Sequence, residues 1–143
     1  LPVLRANASA GIVNVSSLAS TLPMPDMAVY AASKAFVTSF SEGIAIELEP
    51  LRIQVTCVCP GPTPTNFSQT AKRADGTDTN RDGQGLLRIP SSQVVAETLA
   101  GLRVGKTCVF PGLGVSIAGP LFRHLPRRVM RWFLRRRHAS GKV

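Results

Sequence analysis

Residues 11–17 read Gly-Ile-Val-Asn-Val-Ser-Ser and residues 53–59 read Ile-Gln-Val-Thr-Cys-Val-Cys, and a stretch free of proline lies at 28–49 between them. Within these stretches, residues 11–16 and 53–59 form apolar runs that are typical of buried strands. The stretch between them is long enough for a helix and ends at Pro50, which cannot continue one. Strand, helix and strand in this order predict a crossover unit with parallel strands, most often right-handed. The predicted fold class is therefore α/β with a parallel sheet.

Three side chains with complementary chemistry follow the first strand. Ser17 comes directly after it, and Tyr30 and Lys34 are four residues apart on the predicted helix, hence on one face. An ammonium group there stabilises a phenolate, and a phenol that exchanges its proton can act as general acid or base. Taken singly, the three could be a turn cap, a half-buried tyrosine and a solvated lysine. Their joint spacing favours proton-transfer chemistry.

The arrangement resembles the short-chain dehydrogenase/reductase family, in which a Ser lies thirteen residues before the Tyr of a Y-x-x-x-K helix, as Ser17 does here. Residues 59–65, Cys-Pro-Gly-Pro-Thr-Pro-Thr, are similar to the family's P-G-x-x-x-T nicotinamide loop. The resemblance implies catalytic roles for Ser17, Tyr30 and Lys34. It implies cofactor binding by Tyr30, Lys34, Pro60, Gly61, Thr63 and Thr65. Thr63 occupies a position where the family more often has Val or Ile, which leaves a backbone contact with the cofactor unaffected.

The same resemblance implies an oxidoreductase that interconverts a carbonyl and an alcohol by hydride transfer. The implied cofactor is NADP or NAD, with NADP slightly favoured, and no metal is expected. Tyr30 would protonate the alkoxide when a carbonyl is reduced and accept the proton when an alcohol is oxidised. The full-length protein would be a homo-oligomer, since the helix with Tyr30 commonly lies at a subunit interface in this family.

The family's glycine-rich strand-turn-helix, which binds the dinucleotide phosphates, has no counterpart in this sequence, and Leu1 is not an initiator Met. We therefore expect a fragment that is inactive alone. Residues 1–112 are predicted to form the C-terminal half of a doubly wound, Rossmann-type parallel sheet. Residues 113–143 are predicted to form a basic amphipathic helical tail.

The charge of the chain supports a separate tail. The net charge is +9, yet residues 1–110 carry nine Lys/Arg and eight Asp/Glu, whereas residues 111–143 carry eight Lys/Arg and no acid. Leu121, Leu125, Val129 and Phe133 recur every four residues, and arginines fill the other faces. Such a helix can contact an anionic membrane surface through residues 115–137, or pack on the protein itself or on a second subunit. Nucleic acid is disfavoured, because base-stacking aromatic residues are not interleaved with the basic ones.

An alternative function follows from the tail. The chain would then be a non-catalytic remnant that acts in membrane association or protein interaction. On the enzyme hypothesis, the apolar positions of the tail favour a small, hydrophobic carbonyl or alcohol substrate. His124 and His138 lie in the tail and are assigned no catalytic role.

The three cysteines, Cys57, Cys59 and Cys108, lie in apolar strand-like runs without ligand-like spacing, which predicts buried, reduced thiols and a cytoplasmic protein. No run of about twenty apolar residues is present.

Four local expectations bear on the site. The apolar stripe at positions 32, 36, 40, 44 and 48 is predicted to be the face of the long helix that packs on the sheet. The segment 18–27 is predicted to be non-helical, Ser91 or Ser92 to cap a later helix, and residues 66–90 to form a substrate lid.

Overall fold

A computed structural model describes residues 2–6, 10–65 and 85–139, without the side chains of residues 86 and 137. Most of the predicted lid at 66–90 lies outside the described residues. Among them, the α-helices and strands are α1 (Pro2–Arg5), β1 (Gly11–Val15), α2 (Ala28–Leu48), β2 (Gln54–Val58), α3 (Ser91–Arg103), β3 (Cys108–Val109), α4 (Leu113–His124) and α5 (Arg127–Ala139). Short 3₁₀ turns occupy Leu18–Thr21, Glu49–Leu51 and Gly85–Leu87.

The strands form a parallel sheet in the order β1-β2-β3, with Val13 opposite Thr56 and Cys57 opposite Cys108. The predicted α/β class is confirmed. The strands β1 and β2, joined through α2, form the expected crossover unit. Beyond the strand ends, the Leu18 amide donates to the Pro60 carbonyl at 2.8 Å. This bond holds the segments after β1 and β2 side by side at the carboxyl edge of the sheet, where open α/β folds bind ligands.

The face of α2 that packs on the sheet differs from the predicted one. Ala31 and Ser41 are buried, whereas Phe36 and Phe40 of the apolar stripe are 68% and 50% exposed and stack on each other. The small side chains on the buried face let the helix approach the strands closely, and Ser41 accepts a hydrogen bond from Asn14 of β1 at 3.0 Å. The prediction for the stripe was wrong because fourfold periodicity identifies an apolar face but not what covers it.

Two local predictions were also wrong. The segment after Ser17 contains the 3₁₀ turn Leu18–Thr21, because its prolines come later and do not prevent one turn. Neither Ser91 nor Ser92 caps α3, since both lie inside it and Pro90 occupies the N-cap position.

The helices α4 and α5 are separated at Leu125 and Pro126. Arg123 of α4 forms a bidentate ion pair with Glu42 of α2, at 2.6 and 3.0 Å. Met130 of α5 is buried. Both helices therefore contact the rest of the described structure, while the division of the chain at residue 112 stays a prediction. In the described ranges, no helix combines the length and the apolar character needed to cross a bilayer.

Candidate active site

Ser17 lies directly after β1 in extended backbone, with φ −163° and ψ 157°. Its Oγ accepts a hydrogen bond from the Ala19 amide at 3.1 Å and so caps the 3₁₀ turn. The structural role considered from the sequence is therefore real. It leaves the hydroxyl hydrogen available to a substrate oxygen, because a serine hydroxyl can donate one bond while it accepts another.

Tyr30 and Lys34 meet on the first turns of α2, as their spacing predicts. The Lys34 Nζ lies 5.7 Å from the centroid of the Tyr30 ring. The same ammonium donates to the Val15 carbonyl at the end of β1, at 3.1 Å. An ammonium group has three donors, so this bond fixes its position while two donors remain. The positive charge is thus fixed beside the phenol at the carboxyl edge of the sheet.

Ser16 and Thr38 position this part of α2, a role that sequence reasoning did not find. The buried Ser16 hydroxyl donates to the Lys34 carbonyl at 2.8 Å and lies 2.7 Å from the Thr38 Oγ1. Thr38 also bonds to the Lys34 carbonyl, at 3.1 Å. The only sequence signal was a hydroxyl residue one turn after Lys34 together with the adjacent pair Ser16-Ser17. These bonds hold the backbone of Lys34 against the end of β1.

The segment after β2 is closely packed. Thr63 donates its hydroxyl to the Gly61 carbonyl at 3.2 Å, and the Ile89 amide lies 3.4 Å from the Pro62 carbonyl. A Cβ on Gly61 would lie 2.7 Å from both the Leu87 carbonyl oxygen and the Val115 Cγ2. Only glycine fits there without displacement of the backbone.

The predicted site residues divide into two groups. Ser17, Tyr30 and Lys34 follow β1, while Pro60, Gly61 and Thr63 follow β2, and the Leu18–Pro60 bond joins the two segments. Thr65 is exposed at the end of the described range. His124 is exposed, and His138 lies 3.8 Å from Asp26 in the segment before α2. Within the part of the chain that the structure describes, no three His, Cys, Asp or Glu side chains are grouped to hold a metal ion.

Residues 1–76 match the sequence profile of the short chain dehydrogenase family, which covers more than half of the chain. The chain therefore belongs to the short-chain dehydrogenase family.

Two curated relatives illustrate the match. The putative oxidoreductase SadH of Mycobacterium tuberculosis is 32% identical over 129 residues, which cover 86% of this chain and 47% of that protein. The 3-ketodihydrosphingosine reductase of Bacteroides thetaiotaomicron is 34% identical over 82 residues, which cover 57% of this chain and 30% of that protein. The chain thus spans half or less of the length of these relatives.

Solved structures extend the comparison to the fold. A short chain dehydrogenase from Burkholderia cenocepacia in complex with NADP is 28% identical, with a TM-score of 0.71 over 93% of this chain and 50% of that one. A 3-ketoacyl-(acyl-carrier-protein) reductase from Brucella melitensis complexed with NADH is 30% identical, with a TM-score of 0.56 over 71% of this chain and 42% of that one. The α/β arrangement of this chain is therefore that of part of this fold.

Proposed function

We propose that the complete protein is an NAD(P)-dependent oxidoreductase that interconverts a carbonyl and an alcohol, with Tyr30 as general acid and base. The observation that carries the proposal is the Lys34 ammonium, bonded to the Val15 carbonyl at 3.1 Å and 5.7 Å from the Tyr30 ring centroid. A positive charge at this position stabilises the phenolate that remains after Tyr30 gives its proton to a substrate oxygen. Ser17 orients the same oxygen by hydrogen bond.

The donor set fits a nicotinamide nucleotide. Lys34 has two further ammonium donors for the ribose hydroxyls, and the segment of Pro60, Gly61 and Thr63 lies beside Ser17 at the sheet edge, with Thr65 further along. A bound nicotinamide would supply or accept the hydride. The residues of this chain hold the ribose, orient the substrate oxygen and move its proton. The Burkholderia structure contains NADP and the Brucella structure contains NADH, so relatives of this chain use both nucleotides. We keep NADP as the slightly favoured cofactor and test both.

The proposed substrate is a small, hydrophobic carbonyl compound or the corresponding alcohol. Leu113, Ile117 and Leu121 form an exposed apolar stripe on α4, the helix that begins beside the packed Gly61 segment. The Bacteroides relative is named as a 3-ketodihydrosphingosine reductase, and this name is consistent with a hydrophobic carbonyl substrate. Free thiols at Cys57, Cys59 and Cys108 support a cytoplasmic location.

The test is turnover of a panel of aliphatic and aromatic ketones by the complete protein with NADPH and with NADH. Tyr30→Phe should lower kcat by about 10²- to 10⁴-fold, while NADPH binding, measured by calorimetry, is largely retained. Lys34→Met should weaken both NADPH binding and turnover. Ser39→Ala, an exposed position on the same helix, is the matched control and should change neither. A Tyr30→Phe protein with full turnover would refute the proposed mechanism.

A second candidate function is contact with an anionic membrane surface through α4 and α5. The observation that favours it is the exposure of Val129, Trp132 and Phe133 on α5, where the Arg136 guanidinium lies 4.1 Å from the centre of the Trp132 ring. An apolar face flanked by arginines suits the interface between lipid headgroups and acyl chains. Trp132 is the sole tryptophan of the 143-residue sequence, so a vesicle assay with this chain reads its fluorescence from this face alone. Phosphatidylglycerol vesicles should shift its emission to the blue, and an unchanged emission would exclude the contact.

We also propose that the complete protein is a homo-oligomer and that the stacked Phe36 and Phe40 contribute to its interface. The two ring centroids lie 5.9 Å apart on the exposed face of α2. Phe36→Ser combined with Phe40→Ser should reduce the mass measured by light scattering. An unchanged mass would place the interface elsewhere.

A further inference from the structure

The thiols of three cysteines lie close together near the carboxyl edge of the sheet. They belong to β2, to the residue just after it and to β3, next to Thr38 of α2. The Cys59 and Cys108 sulfur atoms are 3.8 Å apart. The Thr38 hydroxyl lies 3.8 Å from the Cys57 sulfur and from the Cys59 sulfur. The three cysteines, separated by up to 51 positions in the sequence, therefore form one cluster with the threonine that positions Lys34.

The three thiols are not equivalent. Cys57 and Cys59 are fully buried, whereas Cys108 is partly exposed. A hydrogen bond from Cys59 lowers the pKa of Cys108, and the nearby Arg123 guanidinium lowers it further against the opposing effects of burial and Glu42. The pKa of Cys59 is raised by its hydrogen bond to Cys108 and by burial, and the pKa of Cys57 is raised by its hydrogen bond to Cys59 and by burial. Of the three, Cys108 combines access to solvent with a lowered pKa, the two properties that favour reactivity in a cysteine.

We propose that Cys108 is a peroxide-sensitive thiol and that Cys59 is its resolving partner. The Cys108 thiolate attacks one oxygen of hydrogen peroxide, the O–O bond breaks, and the products are a Cys108 sulfenic acid and hydroxide. The Cys59 sulfur then attacks the Cys108 sulfur, which forms the S–S bond while the sulfenic hydroxyl leaves as water with the Cys59 proton. One peroxide is reduced and two thiols are oxidised to one disulfide. This inference does not depend on reductase activity.

The geometry allows the second step with a limited movement. The two sulfur atoms must approach by about 1.8 Å to reach the bond length of a disulfide. Cys59 lies one residue past the end of β2 and directly before Pro60, so a movement of its side chain acts on the segment next to Ser17. Cys57 lies inside β2, where its backbone is fixed by pairing with both neighbouring strands.

The experiment treats the complete, reduced protein with hydrogen peroxide, with and without dimedone, and analyses tryptic peptides by mass spectrometry. Trypsin places Cys57 and Cys59 together in peptide 53–72 and Cys108 in peptide 107–123. Peroxide alone should join the two peptides by a bond that dithiothreitol reverses. Dimedone present during oxidation should label Cys108 and decrease the yield of the disulfide-linked peptides. This arm uses the unaltered protein and does not depend on how any variant folds.

Three variants assign the two roles. Cys59→Ser, which keeps a hydrogen-bond donor beside Cys108 but cannot form a disulfide, should leave Cys108 as a sulfenic acid that dimedone labels in high yield, and Cys108→Ala should abolish both products. Cys57→Ala is the matched control, because it removes a neighbouring thiol from the same peptide, and should behave as the unaltered protein. Dimedone labelling confined to peptide 53–72, loss of the joined product in Cys57→Ala, or an unoxidised Cys108 would each overturn the proposal.

Discussion

At the scale of single residues, Gly61 and Gly43 form a matched pair, because Gly61 is tightly packed whereas Gly43 has open space around it. A Cβ on Gly61 would lie 2.7 Å from a backbone oxygen of Leu87 and from the Val115 side chain, whereas a Cβ on Gly43 would have no atom within 4 Å outside its own helix. The first contact cannot be relieved by a side-chain rotation alone, because one of the two atoms belongs to the backbone. The close approach of the segments around residues 61, 87 and 115 therefore leaves no room for a side chain at position 61.

We predict that Gly61→Ala destabilises the protein and that Gly43→Ala stabilises it. The first substitution should lower the free energy of unfolding by about 1–3 kcal/mol because of overpacking. The second should raise it by up to about 1 kcal/mol, since alanine favours the helix over glycine. Urea unfolding curves measure both. Equal effects of the two substitutions would show that the space around Gly61 is not restrictive.

The site residues differ in how far their arrangement could be predicted. The pairing of Tyr30 with Lys34 follows from helix geometry, which brings residues four apart together. The roles of Ser16 and Thr38 could not be predicted, because their 2.7 Å contact depends on where α2 crosses the end of β1. That crossing is a tertiary property, and no local spacing encodes it.

At the scale of elements, Thr38 connects α2 to the sheet, and Thr98 provides a control. Thr38 contacts Ser16 on the segment after β1, the Cys57 thiol of β2 and the Cys59 thiol just after that strand. Thr98 is also buried in a helix, but its hydroxyl donates to the Val94 carbonyl of the same helix, at 2.6 Å. The first hydroxyl joins elements, while the second acts within one.

We predict that Thr38→Val costs about 1–2 kcal/mol of unfolding free energy and that Thr98→Val costs about 1 kcal/mol less. The difference arises because Thr38→Val leaves the buried Ser16 hydroxyl with one partner fewer, whereas Thr98→Val removes one bond inside α3. Denaturant unfolding gives the free energies. In the complete protein, Thr38→Val should also lower turnover, since Lys34 loses part of its support. A larger loss for Thr98→Val would contradict this account of α2.

The same helix shows why its buried face was predicted incorrectly. The spacing of Phe36 and Phe40 gives an apolar stripe, and an apolar stripe is ordinarily buried. The structure instead buries small residues such as Ala31 and Ser41, which permit close contact between helix and sheet. Periodicity predicted the existence and length of α2 well, with bounds of Ala28–Leu48 against an expected 28–49. Periodicity could not predict which of the two faces of α2 packs on the sheet, because either face could be buried by another part of the protein or by a second subunit.

Met130 is the one buried side chain among those described in α5. This side chain is 4% exposed, while its neighbour Val129 is 48% exposed. We predict that Met130→Ala costs about 2–3 kcal/mol, because it removes buried methylene and methyl groups. Val129→Ala should change the free energy of unfolding by no more than about 0.5 kcal/mol. Similar effects at the two positions, measured by thermal and urea unfolding, would mean that α5 is not packed through this face.

At the scale of the whole molecule, the positive charge is concentrated rather than spread. The chain has a net charge of +9, and residues 111–143 contribute eight cationic residues without an acidic one. One of these, Arg123, is neutralised by Glu42 of α2. The remaining described arginines of α5 lie next to the exposed apolar residues of the same helix. Positive charge spread evenly over the protein would attract any anionic surface weakly. The concentration of charge in residues 111–143 instead directs an anionic surface to this part of the protein.

We predict that the location of the cationic side chains on α5, and not the net charge of the protein, governs binding to anionic vesicles. Arg128→Glu combined with Arg131→Glu removes two exposed cations of α5, and Arg88→Glu combined with Lys106→Glu makes the same change in net charge elsewhere. Each cation near an anionic membrane contributes about 1 kcal/mol, so the α5 variant should bind phosphatidylglycerol vesicles at least about thirtyfold more weakly. The control variant should lose much less, and raised salt should weaken the binding of the unaltered protein. Co-sedimentation measures all three, and an equal loss in both variants would show that only the overall charge matters.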